Sequence, residues 1–323
     1  MFMNNKRIMI VDALNMYFRA YIVDPSLSAN GQPIGGVKGF LKILQKLTRE
    51  IKPDHIVVAW DGGSSRRKST FGGYKEGRKP IRLNRGIRNL TENEELENKI
   101  WQQTRLFEYL NQLPVCQLMV DHLEADDIIG FVANMKNIED WQKVIVSSDK
   151  DFIQLCSGNT VLYRPVQKEI LNEKRIVEKY SIHPNNFALA RAMAGDKSDN
   201  LPGVGGVGLP TVSKRFPFMS EDKDYTIADI VEYAASVDSR LKAYSNVVEK
   251  QDLIEQNYKL MQLYTPSMSP QARQSIKDCV LEFEPTFNKT KAKTMMLEDG
   301  FGVYDWNDLF VHFKKIIIES KGQ

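Results

Sequence analysis

Five short runs of β-branched and other apolar residues punctuate the first half of the chain: "RIMIVD" (7–12), "HIVVAWD" (55–61), "VCQLMV" (115–120), "KVIVSSD" (143–149) and "TVLYR" (160–164). Between them, "GGVKGFLKILQKLTREI" (35–51), "ELENKIWQQTRLFEYLNQL" (95–113) and "EADDIIGFVANM" (124–135) repeat their apolar residues every three to four positions. The first pattern is that of buried strands and the second that of helices laid on a core. Strands alternating with helices admit few solutions, and the expected fold is α/β, a mostly parallel central sheet flanked by helices on both faces. Near residue 168 the alternation stops and helical patterns alone follow, at 172–182, 184–199, 208–216, 226–236, roughly 240–264, and within 280–323. The expected organisation is therefore an α/β core over 1–180 and a helical region over 181–323.

The stretch 62–94 fits neither pattern and is long for a connection inside a compact domain. It carries a strong charge imbalance, with nine Lys or Arg and one acid (Glu76) between Ser64 and Leu90, although the whole chain has a net charge of only +3. Such a block marks where an anionic partner sits. No apolar run approaches the ~18 residues of a membrane-spanning helix, and the N-terminus lacks the long apolar region of a signal peptide. The three cysteines, Cys116, Cys156 and Cys279, are odd in number and widely spaced in apolar stretches. They read as reduced structural thiols of a cytoplasmic protein, not as a disulfide frame or a zinc site. Four scattered histidines argue against a His-based metal centre.

The acids are placed more tellingly than they are counted. Asp12 and Asp61 close the first two strands, Asp149 closes the fourth with Asp151 two residues on, and Glu124, Asp126 and Asp127 open the helix after the third. Asp196 and Asp199 lie three apart at the end of a helical pattern and are expected to share a face. A single acid at a strand end is more often a cap or a turn residue. Ligands of open α/β sheets, however, bind beyond the carboxyl ends of the strands, and four acidic element ends there point together to metal binding. A carboxylate set without His or Cys suits a hard divalent ion, Mg²⁺ or Mn²⁺. A pair of such ions ~4 Å apart serves phosphodiester hydrolysis.

In the basic segment, Tyr74 stands beside Lys75 and Arg78, offering cations for phosphate and a ring on which an unpaired base can stack. Arg66 and Arg67 are near enough to Asp61 to offset the acidic pocket and meet the reacting phosphate. Arg82, Arg85 and Arg88 fit a phosphate contact or a solvated loop equally well. Further on, "GDKSDNLPGVGGVGLPTVSKRF" (195–216) joins the last acids to a glycine-rich turn and a helix. No strand precedes "GVGGVG", so a dinucleotide fingerprint is weak. As a helix-hairpin-helix it would hold a DNA duplex through the backbone, with Gly203, Gly206, Gly208, Thr211 and Lys214 at the contact.

With these motifs in view the chain resembles the 5′-nuclease family, which comprises the flap endonucleases and 5′→3′ exonucleases of bacteriophages and the N-terminal nuclease domain of bacterial DNA polymerase I. The resemblance rests on "IVDALNMYFRAY", "AWDGG", "YKEGRKP", "LEADDIIG", "SSDKDFIQL" and "MAGDKSDNLPGVGGVG", in family order over roughly residues 7–216. It implies a structure-specific 5′ nuclease acting in replication and repair, with exonuclease, flap endonuclease and RNase H activity. A first ion would be held by Asp12, Asp61, Glu124, Asp126 and Asp149, with Asp127 close by, and a second by Asp151, Asp196 and Asp199. It further implies a helical arch over the site, with Lys75 and Arg78 at the scissile phosphate and Tyr74 stacking, and K⁺ held by the hairpin carbonyls. Nicked, flapped or branched DNA and RNA–DNA duplex are the implied substrates, and a single-strand-binding protein or the replisome the implied partner. Two departures stand out: Pro210, where relatives usually carry Lys, which leaves Lys214 to replace the contact, and Ala13, where glycine is common. Beyond residue 216 no motif matches and no polymerase domain follows, as in bacteriophage nucleases. The alternatives are a junction-binding protein without catalysis, and a PIN-type ribonuclease, which usually lacks the glycine hairpin.

Overall fold

In the computed structural model, which describes residues 6–63, 65–77, 82–83, 90–302 and 305–321, six strands form one sheet. They are β1 (Arg7–Asp12), β2 (His55–Trp60), β3 (Cys116–Met119), β4 (Gln142–Val146), β5 (Thr160–Arg164) and β6 (Glu169–Leu171). Their spatial order is β3-β2-β1-β4-β5-β6. β1 to β5 run parallel, and β6 pairs antiparallel with β5 at the edge. Only three residues long, β6 escapes a reading based on periodicity. The chain builds β2 and β3 on one side of β1, then crosses back to place β4 on the other. The carboxyl ends of β1 and β4 therefore flank a topological switch point, where the connections diverge and leave a crevice.

Helices α1 (Ala13–Val23) and α2 (Gly35–Ile51) link β1 to β2, while α3 (Arg66–Thr70) and α4 (Glu92–Leu110) lie between β2 and β3. α5 (Ala125–Ala133) links β3 to β4. After β6 come α6 (Glu173–Tyr180), α7 (Pro184–Ala194), α8 (Leu209–Arg215), α9 (Ile227–Ser236), α10 (Lys242–Glu249), α11 (Gln251–Met261), α12 (Pro270–Leu281), α13 (Lys289–Glu298) and α14 (Trp306–Lys321). α1 and α12 go beyond the sequence reading, and the helical stretch near 240–264 is two helices that meet at Lys250.

Because successive strand residues face opposite ways, β1 sends Ile8 and Ile10 into one core and Met9 and Val11 into the other. The first core joins Val57, Ala59, Ile145 and Leu162 of the sheet to Ile128 of α5, Phe187 of α7, Val212 of α8 and Ile254 of α11. In the second, the stripe Val37, Phe40, Leu41, Leu44 and Leu47 of α2 packs with Ile56, Val58, Leu106 and Tyr109. The chain returns to this face at its end: Met295 and Met296 of α13 and Leu309, Phe310, Phe313 and Ile316 of α14 close the second core. Each such side chain contributes about 1.5–3 kcal/mol by leaving water. Asp308 fastens α14 to α2 through Gln45 and, at 3.2 Å, Arg49. The stretch "DWNDLFVHFKKIIIES" is thus core packing. Cys116 and Cys156 are buried free thiols, whereas Cys279 is exposed, against the expectation of an apolar setting. Among the described residues no helix is long and apolar enough to cross a membrane.

Candidate active site

Asp12 ends β1 and caps α1, its Oδ1 accepting the amide of Asn15 at 3.1 Å. Across the switch point the hydroxyl of Ser147, just after β4, donates to its Oδ2 at 2.9 Å. Asp149 lies three residues past the end of β4, in a turn and not on the strand. It accepts the amide of Asp151 at 2.9 Å. Asp61 follows β2 and accepts the amide of Ala125, at the start of α5, at 2.8 Å. Gly62 makes that approach feasible, since a Cβ there would stand 1.8 Å from the carbonyl oxygen of Val120. Glu124 is the N-cap of α5 and forms a reciprocal capping box with Asp127. Acids gather here because a helix start offers unpaired amides and a positive dipole end.

Among the described residues, three internal cations reach the flanking acids. Arg67 donates to Glu124 at 2.8 Å and to Asp127 at 2.7 Å, with Asp126 at 3.6 Å. Lys75 Nζ is 2.8 Å from the same Glu124. Arg191 of α7 donates from Nε to Asp151 at 2.8 Å and from its terminal nitrogen to Asp196. The Asp196 carboxylate also accepts from the amide and hydroxyl of Ser198, both at 2.7 Å. Asp196 and Asp199 do not share a helix face, because α7 stops at Ala194 and Gly195 turns the chain at φ 72°. Pro202 and Gly203 fold back there so closely that a Cβ on Gly195 would meet the Gly203 nitrogen at 2.3 Å.

Lys75 sits in the left-handed region at φ 57°, which costs a non-glycine residue of order 1 kcal/mol and persists only where the surroundings enforce it. Its amide donates to the Asp199 carbonyl at 2.9 Å, and the Asn200 side chain donates to the Gly73 carbonyl at 2.9 Å. The turn carrying Lys75 is thereby tied to the acidic turn at 196–200. Tyr74 differs from expectation. It is buried against Leu201, Leu260 and Met261, and its hydroxyl donates to Glu124 at 3.0 Å. The ring has no open face for a base, and it orients Glu124 instead.

Burial sets the protonation of the cluster. It lifts Asp12 to about 7, helped by the charges of Asp149 and Asp61. Asp126 rises well above the carboxylate range for the same reason, with Asp149 adding to it. Asp151 climbs to about 6, because burial and Asp149 outweigh Arg191. Asp127 also rises, since its burial exceeds the pull of Arg67. Glu124 goes the other way: Arg67 and Lys75 overcome its burial and hold it at about 2. Asp196 is likewise held low by Ser198 and Arg191 against its burial.

As folded, with the outer acids engaged by Arg67, Lys75 and Arg191, no three side chains among the described residues enclose an ion. The donor set nevertheless fits a hard divalent ion. Asp12, Asp126 and Asp149 offer carboxylate oxygens, and the charge of Asp149 raises the pKa of the other two in the crevice, a repulsion that a bound hard cation would relieve.

Of the other expected contacts, Arg82 is paired with Glu92 and Glu95 at the start of α4. Gly203, Gly206, Gly208, Thr211 and Lys214 lie in the turn between α7 and α8 and on α8, with Gly208 its N-cap and Pro210 in its first turn. Arg78, Arg85, Arg88 and the side chain of Arg66 lie outside the described residues. Sequence reasoning passed over Ser147 and Arg191. The signal for Arg191 is a lone cation in the apolar pattern "FALARAMA", five residues before Asp196.

Comparison with known proteins agrees with this geometry. Residues 7–181 match the 5′-3′ exonuclease, N-terminal resolvase-like domain family. A 5′-3′ exonuclease of Aquifex aeolicus is 27% identical over 305 residues, covering 91% of this chain and 92% of that protein. Among solved structures, T5 5′-exonuclease with bound zinc superposes with a TM-score of 0.68 at 19% identity, over 86% of this chain and 99% of that one. A bacteriophage T5 flap endonuclease in a pseudo-enzyme-product complex with DNA and metal ions gives 0.63 at 18% identity, over 92% and 100%. A six-stranded, switch-point sheet bearing this acidic edge, matched over more than half its length, places the protein in the 5′-3′ exonuclease N-terminal domain family: it is a nuclease.

Proposed function

We propose that the chain is a Mg²⁺-dependent, structure-specific 5′ nuclease that trims flaps and RNA primers during replication, in the manner of bacteriophage enzymes. The observation that carries this reading is the group Asp12, Asp61 and Asp149 at the sheet edge, paired with no described cation yet beside Arg67 and Lys75. Asp12, Asp61, Glu124, Asp126 and Asp149, with Asp127 nearby, would hold one ion; Asp151, Asp196 and Asp199 would hold the second. When bound, Mg²⁺ or Mn²⁺ lowers the pKa of a water and offsets charge on the phosphodiester and its leaving oxygen.

The chain's own residues do the rest. Lys75, kept charged because Glu124 and Asp126 outweigh its burial, and Arg67 stand where a reacting phosphate replaces carboxylates as their partner. Tyr74 keeps Glu124 aligned while that exchange occurs. Arg78, with Arg66 and Arg82, guides the 5′ strand under an arch formed from 62–94. Gly203, Gly206, Gly208, Thr211 and Lys214 hold the duplex by its backbone, with K⁺ at the hairpin. We place the boundary between core and duplex-binding region near 180, and hydrolysis leaves a 5′-phosphate and a 3′-hydroxyl. A single-strand-binding protein or the replisome, in the cytoplasm, is the setting this reading supplies.

The test is cleavage of an end-labelled 5′-flap duplex in Mg²⁺ and in EDTA, beside a substrate with a blocked 5′ end. Metal-dependent cutting near the junction that fails on the blocked end is the expected result. Tight binding without cutting in Mg²⁺ or Mn²⁺ would favour a junction-binding protein instead.

A further inference from the structure

Arg191 is the cation on the second-ion side of the cluster that no step above uses. Its side chain is 12% exposed, and the two carboxylates it bridges, Asp151 and Asp196, are 14% and 17% exposed. The two come from separate turns, one after β4 and one after α7, so nothing in the local chain obliges them to approach. A guanidinium can serve both because its donors fan out in one plane: Nε reaches Asp151, one terminal nitrogen reaches Asp196, and the other donates to the Gly195 carbonyl at 3.3 Å. Two buried carboxylates brought together without such a partner would repel.

We infer that Arg191 is the internal counter-ion of the second-ion site, holding Asp151 and Asp196 together while that site is empty and giving them up when a divalent ion enters. The inference rests on the two-ion reading above. It makes Arg191 a positioning residue with a thermodynamic signature. Ion and guanidinium compete for the same oxygens, so part of the ion's binding free energy goes into breaking the Arg191 pairs. The second ion should therefore bind more weakly than it would to the same carboxylates unpaired. A residue that merely supported the fold would have the opposite signature, since its loss would slacken the site and weaken every ion.

Titration calorimetry with Ca²⁺ on the full chain separates the two. The wild-type protein is expected to take up two ions of unequal affinity. In Arg191→Met, which keeps much of the volume without the charge, the weaker ion should bind about tenfold more tightly, with the stronger one little changed. Ca²⁺ should also raise the melting temperature more than in wild type. Arg191→Lys, which keeps a cation without the fork, should fall between. An unchanged or weakened second affinity in folded Arg191→Met overturns the inference and leaves the two-ion reading standing. Uptake of one ion only by both proteins overturns the two-ion reading, and the inference with it. Should Arg191→Met fail to fold, the arginine Nε–H signal of ¹⁵N-labelled wild type, assigned by its loss in Arg191→Lys, decides. Movement with the second equivalent of Ca²⁺ supports the inference, and a fixed signal overturns it.

Discussion

At the centre of the sheet edge Asp12, Asp61 and Asp149 are bonded to backbone amides and one hydroxyl, and no cation among the described residues pairs with them. On either side, Glu124, Asp126 and Asp127 face Arg67 and Lys75, while Asp151 and Asp196 face Arg191. The same residue type is thus kept by two different means. On the flanks Glu124 and Asp196 are held low by their partners, whereas burial outweighs the cations at Asp126, Asp127 and Asp151. At the centre, burial raises Asp12 and no described cation offsets it, so a cation supplied from outside would relieve that position most directly.

The largest expected effect comes from the centre. Asp149→Ala should lower flap cleavage by about 10³-fold or more, yet leave binding to a flap duplex in Ca²⁺ near wild type. Wild-type turnover would remove Asp149 from the site and erase the difference between centre and flank. On the flank, Arg67→Ala should slow cleavage by about 10²–10³-fold. Unlike the central variant, it should also destabilise the ion-free protein, because Glu124, Asp126 and Asp127 all lose a buried partner, at about 3–5 kcal/mol. Lys75→Ala should cost a similar factor in rate with less loss of stability, since Arg67 still holds Glu124. Denaturant unfolding in EDTA beside single-turnover cleavage checks both, and equal stability losses at Asp149 and Arg67 would erase the contrast.

Much of this edge was legible in the sequence. Alternating strands and helices define the sheet, and a parallel sheet brings its strand-end acids together whatever the details of packing. The flanking cations were legible only where they fell in an anomalous segment, as Arg67 and Lys75 do. Arg191 stands out only as a lone cation in an apolar helix pattern, and its partner Asp151 is 40 positions away, so the pairing itself appears only in the tertiary fold. Tyr74 misled for a related reason. An aromatic among cations suggests stacking on a base, whereas Leu201, Leu260 and Met261, all distant in sequence, bury it. Distance along the chain also hid the last helix: no pattern within "DWNDLFVHFKKIIIES" says that its apolar stripe meets α2.

The smallest effect is the sharpest test, because Asp12 and Glu124 should respond to pH with opposite sign in the ion-free protein. Asp12 has a folded pKa raised to about 7 by burial, with Asp149 and Asp61 contributing. The native state therefore holds its proton more tightly than the unfolded chain does. That contribution is full below about pH 4, where the unfolded carboxyl protonates, and is lost as pH rises toward 7. Glu124, held at about 2 by Arg67 and Lys75 despite burial, contributes above about pH 4 and loses that contribution as pH falls toward 2. In EDTA, Asp12→Asn should accordingly raise the melting temperature at pH 8 by about 2–4 °C, the equivalent of about 1 kcal/mol, and change it little at pH 5. An amide can keep the Asn15 contact through its oxygen, and the Ser147 hydroxyl can rotate to accept from its nitrogen, so the comparison isolates the charge. Glu124→Gln should be nearly neutral at pH 2 and destabilising at pH 8, where Arg67 and Lys75 would be left without their shared carboxylate. Melting curves at the three pH values decide the matter: a fall in stability at pH 8 for both variants would mean that Asp12 too is compensated from within.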